Sequence, residues 1–229
     1  MDTLPTPLHA LIGAIKSGLN HVSISLSASD THSRKNINKS IEESLIEFAE
    51  MARIAKKAGL IVRGGIQCAF GCRYKGEISE QFLIDLAKSH LDLGIDELSL
   101  ADSTGMGNPV QVYRIMPQIM PVVGNLPVIL HLHDTEGKAI PNMIVAIECG
   151  VNHFDTAFGG LGGCPFIKGV TGNIATEDVV HCLHHMDYET GINNLKMIEL
   201  AKEVEAFLGR KLPGKVKELR NFSTKFPNK

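Results

Sequence analysis

Apolar and polar positions alternate over 21–26 (His-Val-Ser-Ile-Ser-Leu), the period of a short strand. A different period follows. Ser40-Ile41-Glu42-Glu43 reads as a capping box, in which the Ser40 hydroxyl takes an early helix N–H and Glu43 reaches back to the cap. The helical stripe behind it runs to about Lys57, and Gly59 stands where a left-handed C-cap belongs. Leu60 to Ile66 then reads as a buried strand.

The unit repeats along the chain. The pattern predicts a helix over about 79–93 stopped by Gly94, and a strand near 97–101. Asn108-Pro109 predicts an N-cap followed by proline at the first helical position, for a helix ending before Gly124. Val128–His133 is the next strand, a helix runs to Cys149 with Gly150 as its stop, and 152–157 is another short strand. An opening helix precedes all of this, and two helices, about 176–185 and 192–208, follow it. From about Pro213 the chain reads as a polar, basic tail, so the domain is expected over 1–212 and the tail over 213–229.

Strands alternating with helices imply parallel βαβ units. A closed (β/α)₈ barrel needs eight strands and usually about 250 residues. About five strands are countable in 229 residues, so the expected fold is an α/β incomplete TIM barrel of about five parallel strands with flanking helices, lacking about the first three. No short motif recurs, which excludes a solenoid.

Composition narrows the function classes. The formal charge of -2 gives no electrostatic reason to expect nucleic acid or an acidic membrane as partner. No apolar run approaches the roughly 20 residues that span a bilayer, and the opening residues suit neither a secretory signal nor an Arg-rich transit peptide. Five scattered cysteines, an odd number, do not make a disulfide framework. A reducing, cytoplasmic compartment is expected.

Three segments carry candidate chemistry. In Leu130-His131-Leu132-His133-Asp134, strand alternation puts His131 and His133 on one face, at the C-terminal end of a parallel strand, where they suit a metal. Gly159-Gly160-Leu161-Gly162-Gly163-Cys164-Pro165 reads as a mobile loop, because glycines free the backbone. Its Cys164 is suited to proton transfer if a cation lowers its pKa. In 169–178, Asn173 offers a neutral oxygen ligand, and Glu177, one helical turn on, suits a supporting hydrogen bond. Taken singly, these segments also suit two hydrogen-bonded histidines, a surface loop with an incidental thiol, and a helix start capped by Thr176.

Together they are far more specific. His-x-His-Asp-Thr-x-Gly, Gly-Leu-Gly-Gly-Cys-Pro-Phe-x-Lys-Gly and Gly-Asn-x-Ala-Thr-Glu-Asp resemble hydroxymethylglutaryl-CoA lyase, a metal-dependent TIM-barrel lyase whose family begins with an Asp/Arg motif. The likeness extends to 35–44 (Lys-Asn-Ile-Asn-Lys-Ser-Ile-Glu-Glu-Ser), to Val62-Arg63-Gly64 with Cys68 and Cys72, and to 98–105 (Leu-Ser-Leu-Ala-Asp-Ser-Thr-Gly), covering about residues 7 to 212.

The resemblance implies a retro-Claisen cleavage of 3-hydroxy-3-methylglutaryl-CoA to acetyl-CoA and acetoacetate. It implies Mg²⁺ or Mn²⁺ held by His131, His133 and Asn173, acid–base work for Cys164, Asp102 near the reacting centre, and Glu177 close to the metal site. The implied partner is a CoA thioester.

Departures also matter. The family's Arg-Asp pair on its first strand and a glutamate on its second have no counterpart, because the likeness begins in the helix before the fourth strand. A shell without the Asp is neutral and expected to bind Mg²⁺ more weakly; losing one charge-assisted donor to the enolate costs roughly 3 to 4 kcal/mol. Glu136, Arg73 and Ala101 replace an aromatic residue, a proline and a glycine. Five strands leave two sheet edges unpaired. The expected outcomes are a piece of a longer protein, a chain completed by self-association or by a complementing chain, or a catalytically inactive association module. A related aldolase or lyase of the same superfamily is the further alternative, against which the Cys164 loop argues.

Overall fold

The computed structural model describes residues 7–163 and 172–219. Its elements are α1 (Pro7–Lys16), β1 (His21–Ser27), α2 (Asp30–Ile37), α3 (Ile41–Lys57), β2 (Ile61–Gln67), α4 (Glu80–Asp92), β3 (Glu97–Asp102), α5 (Pro109–Val123), β4 (Val128–Leu132), α6 (Ala139–Glu148), β5 (His153–Asp155), α7 (Thr176–His185) and α8 (Asn194–Leu208).

Local chemistry sets the helix ends. Ser40 and Glu43 form the capping box that starts α3, with Ser40 N–H donating to Glu43 at 2.7 Å and Glu43 N–H to the Ser40 hydroxyl at 3.1 Å. Asn108 caps α5 through Gln111 N–H at 3.0 Å, with Pro109 at its start. Helix α2 has no counterpart in the hydrophobic pattern. It is held instead by Ser29, which accepts from His32 N–H, by an Asp30–Arg34 ion pair at 2.7 Å, and by left-handed Asn38 at its end.

The five strands form one sheet in the order β1-β2-β3-β4-β5, every pair parallel. Its two faces differ sharply. Leu26, Val62, Ile66, Leu98, Leu100, Leu130 and Leu132 point toward the helices and are buried against side chains such as Phe48, Leu83, Ile115, Ile119 and Met143. Residues of the opposite parity, among them Ser23, Ser25, Arg63, Gln67, Ser99, His131 and Asp155, line a cavity of about 390 Å³.

The sheet is strongly curved. Flat strands three positions apart lie roughly 14 Å from each other, yet Arg63 on β2 donates to Asp155 on β5 at 3.1 Å. This is the wall of a (β/α)₈-type barrel, and among the described residues it does not close: β1 and β5 each pair on one side only.

The first residues of the expected polar tail, 213–219, meet the domain through Gly214, Val216 and Lys217, the last two only 8% and 3% exposed. Three carboxylates hold this strap: Glu205 accepts from Leu212 N–H at 2.8 Å and pairs with Lys217, Asp178 accepts from Lys215 and Val216 N–H, and Asp134 takes the Lys215 ammonium at 2.6 Å. These contacts are not visible in the basic composition because the partners are acidic groups far back in the chain. Residues 220–229 lie outside the described residues.

Candidate active site

His131 lies in β4 and His133 just beyond it, both at the C-terminal end of the sheet on its concave face, with ring centroids 5.4 Å apart. The chain returning at Asn173 forms an antiparallel bridge with His133. The flanking bonds run from Ile174 N–H to Leu132 C=O at 3.0 Å and from Asp134 N–H to Gly172 C=O at 3.3 Å. His133 and Asn173 are thus a non-hydrogen-bonded pair, the type whose side chains stand closest.

The donor atoms of this set are poised. The Asn173 amide donates to Leu161 C=O at 2.9 Å, which turns its Oδ1 away from that contact. Among the described residues, that Oδ1 and His133 Nδ1 are both buried without a hydrogen-bond partner. Buried polar atoms left so are rare in proteins and call for an explanation. Burial, with help from His131, lowers the His133 pKa to about 4, so its imidazole is neutral at physiological pH, as a metal ligand requires. Two imidazoles and an amide oxygen fit a borderline divalent cation. Among the described residues no three His, Cys, Asp or Glu side chains gather as a metal cluster.

In the described part of the glycine loop, 159–163, glycine also serves close packing. Gly160 and Gly162 have φ of 70° and 97°. A Cβ on Gly162 would stand 2.7 Å from Asn173 Nδ2, and one on Gly160 2.9 Å from Pro213. These glycines permit close packing of loop, ligand strand and strap. Gly163 lines the cavity; Cys164 itself, and the chain as far as 171, lie outside the described residues.

Neither expected carboxylate lines the cavity. Asp102 has the opposite parity, is wholly buried, and accepts from Met106 and Gly107 N–H at 3.1 and 2.9 Å. Burial pushes it up to about 6 against those bonds. Glu177 is wholly buried in the first turn of α7 and accepts from Gly159 N–H at 2.9 Å, with its pKa raised by burial. Both carboxylates shape loops that bound the cavity.

Sequence reasoning missed a charged chain inside the cavity. Arg63 donates to Glu97 at 2.8 Å and to Asp155, and Asp155 lies 3.4 Å from His131 Nδ1. The signal was the lone charged residue of β2.

Comparison with known proteins decides the family. The HMGL-like family model matches residues 6–204. The chain belongs to the HMGL-like family. This HMGL-like chain is 40% identical over 205 residues to the cytoplasmic 3-hydroxy-3-methylglutaryl-CoA lyase of Danio rerio, covering 90% of itself and 61% of that protein. It is 40% identical to hydroxymethylglutaryl-CoA lyase YngG of Bacillus subtilis, covering 69% of that protein. An HMG-CoA lyase structure from Acinetobacter baumannii, in complex with coenzyme A and 3-methylmalate, superposes with a TM-score of 0.89 at 36% identity, over 93% of this chain and 70% of that one. The HMGL-like chain therefore spans about two thirds of its relatives' length, in keeping with a partial barrel. Among its described residues no helix is long and apolar enough to cross a membrane.

Proposed function

We propose that this chain carries the metal-and-thiol part of a carbon–carbon lyase that cleaves 3-hydroxy-3-methylglutaryl-CoA to acetyl-CoA and acetoacetate. The observation that carries the reading is Asn173 Oδ1, unpartnered among the described residues, cross-strand from His133 and on the same wall as His131. His131, His133 and Asn173 would hold the cation, Mg²⁺ or Mn²⁺. When bound, that cation supplies the Lewis acidity that makes ionising the substrate's tertiary hydroxyl less costly.

The chemistry left to the chain is proton transfer and shape. Loss of the hydroxyl proton breaks the adjacent carbon–carbon bond, giving a ketone and the enolate of acetyl-CoA. Cys164, one residue beyond cavity-lining Gly163, delivers a proton to the enolate carbon. Glu177 and Asp102 are positioning residues in this reading: one holds the base of the glycine loop, the other the turn after β3. The coenzyme A bound to the A. baumannii relative supports a CoA thioester as substrate. A cytoplasmic compartment is supported by the cytoplasmic relative from Danio rerio. A second copy or a complementing chain would pair the open edges of β1 and β5.

The test is acetoacetate formation from the CoA ester by the purified chain with added Mg²⁺ or Mn²⁺, beside Mn²⁺ titration calorimetry. Cation-dependent turnover is expected. Mn²⁺ binding without turnover would make this polypeptide a binding-competent but inactive relative, and absence of both would remove the proposal.

A further inference from the structure

Asp155 sits on the same rung of the sheet as His131, paired with it in register between β5 and β4. Its carboxylate lies 3.4 Å from His131 Nδ1. The other side of that carboxylate faces Arg63, whose Nη1 reaches its two oxygens at 3.1 and 3.4 Å. Arg63 is anchored in turn by Glu97 at 2.8 Å, and Glu97 also meets His21 at 3.2 Å.

Small residues let this chain cross the cavity. Arg63 starts four rungs below Asp155 and three strands away, and the positions between on the same face include Gly65, Ser99 and Ala101. A side chain on Gly65 would collide with Ser25. The guanidinium passes over these short side chains to the far wall. Arg63 and Asp155 are about one-quarter and one-third exposed, so the contact is screened only in part.

We propose that Asp155, pinned by Arg63, is the positioning residue that sets the tautomer and ring orientation of His131. A carboxylate beside Nδ1 stabilises the proton there and leaves the Nε2 lone pair for a cation. The inference rests on the reading of His131 as a ligand. It adds the group that aims the ring. Without that group a neutral imidazole is free to carry its proton on either nitrogen, and the fraction bearing it on Nε2 is unable to bind metal through that atom.

The decisive readout precedes any metal. In the ¹⁵N spectrum of the full chain at about pH 8, where a free imidazole is neutral, His131 is expected as the Nδ1–H form. Finding the Nε2–H form in the unaltered chain overturns the proposal. Asp155→Ala is expected to move His131 toward Nε2–H and to weaken Mn²⁺ binding about 10- to 100-fold, the usual cost of losing such a partner. Asp155→Asn keeps an acceptor oxygen and the volume, so it is expected to retain the Nδ1–H form and most of the affinity, and it serves if the alanine variant does not fold. Unchanged tautomer and affinity in Asp155→Ala, while His131→Ala loses Mn²⁺, would refute the positioning role and leave the ligand reading intact. Unchanged Mn²⁺ affinity in His131→Ala would remove the ligand reading itself, and with it the aiming of that ring at a cation.

Discussion

Gly214 rests directly on the Glu177 carboxylate: a Cβ there would overlap Oε1, the oxygen that Gly159 N–H does not bind. The strap, the first turn of α7 and the base of the glycine loop therefore meet at one point. Gly214→Ala forces that point apart. Overpacking of this kind costs about 1 to 3 kcal/mol, and denaturant unfolding of the variant is expected to show a loss in that range. Wild-type stability would mean that the strap does not bear on Glu177.

His133→Ala removes one proposed ligand while leaving the strand backbone intact. Mn²⁺ affinity measured by titration calorimetry is expected to fall by at least tenfold. Unchanged binding would show that the ligand assignment is wrong.

Cys164→Ala separates binding from chemistry. Turnover of the CoA ester is expected to vanish while Mn²⁺ affinity stays at the wild-type value, because no sulfur belongs to the proposed ligand set. Retained turnover would take the thiol out of the mechanism.

Asp102→Ala probes a buried acceptor of two backbone N–H groups. Leaving them unpaired costs about 1 to 3 kcal/mol. The expected result is that loss in denaturant unfolding with Mn²⁺ affinity unchanged. An equal loss of metal affinity would place Asp102 at the cation after all.

The strap has its own pH signature. Glu205 is held down to about 2, first by Leu212 N–H and then by Lys217 and Lys211. A carboxylate depressed in the fold stabilises it above the unfolded pKa, and that contribution fades as pH falls through the folded value. The wild-type advantage over Glu205→Gln in thermal unfolding should be complete above about pH 5 and shrink progressively toward pH 2. An advantage independent of pH across that window would show that the Glu205 charge does not anchor the strap.

Much of this was legible in the residues. Period and caps located every strand and all helices but α2, because each of those is marked by apolar spacing or by a stop signal such as Gly59, Gly94 or Gly150. Helix α2 escaped because its stabilisation is side-chain capping and an ion pair, with only His32 and Ser33 buried. Alternation placed His131 and His133 on one face, and the returning chain at Asn173 bridges His133. The parity rule also holds the reason Asp102 leaves the cavity: it lies an odd number of positions from Ser99 and Ala101, which point in. The Arg63–Asp155 contact was not legible, since it joins residues 92 apart across a curvature that no local pattern encodes. The strap escaped for the same reason, its acidic partners lying as far back as Asp134.

The two-sided character of the sheet has an evolutionary corollary. Leucine, isoleucine and valine bind the strands to their helices on one surface, while serine, alanine, glycine and a few ionic groups furnish the other. Exchanges among those furnishings, Ala101 for a bulkier neighbour for example, meet the Arg63–Asp155 crossing before they meet the leucine-rich packing on the helix side. The smallness of this surface thus serves to keep an ionic span open, and its room for variation is narrower than its lack of bulk suggests.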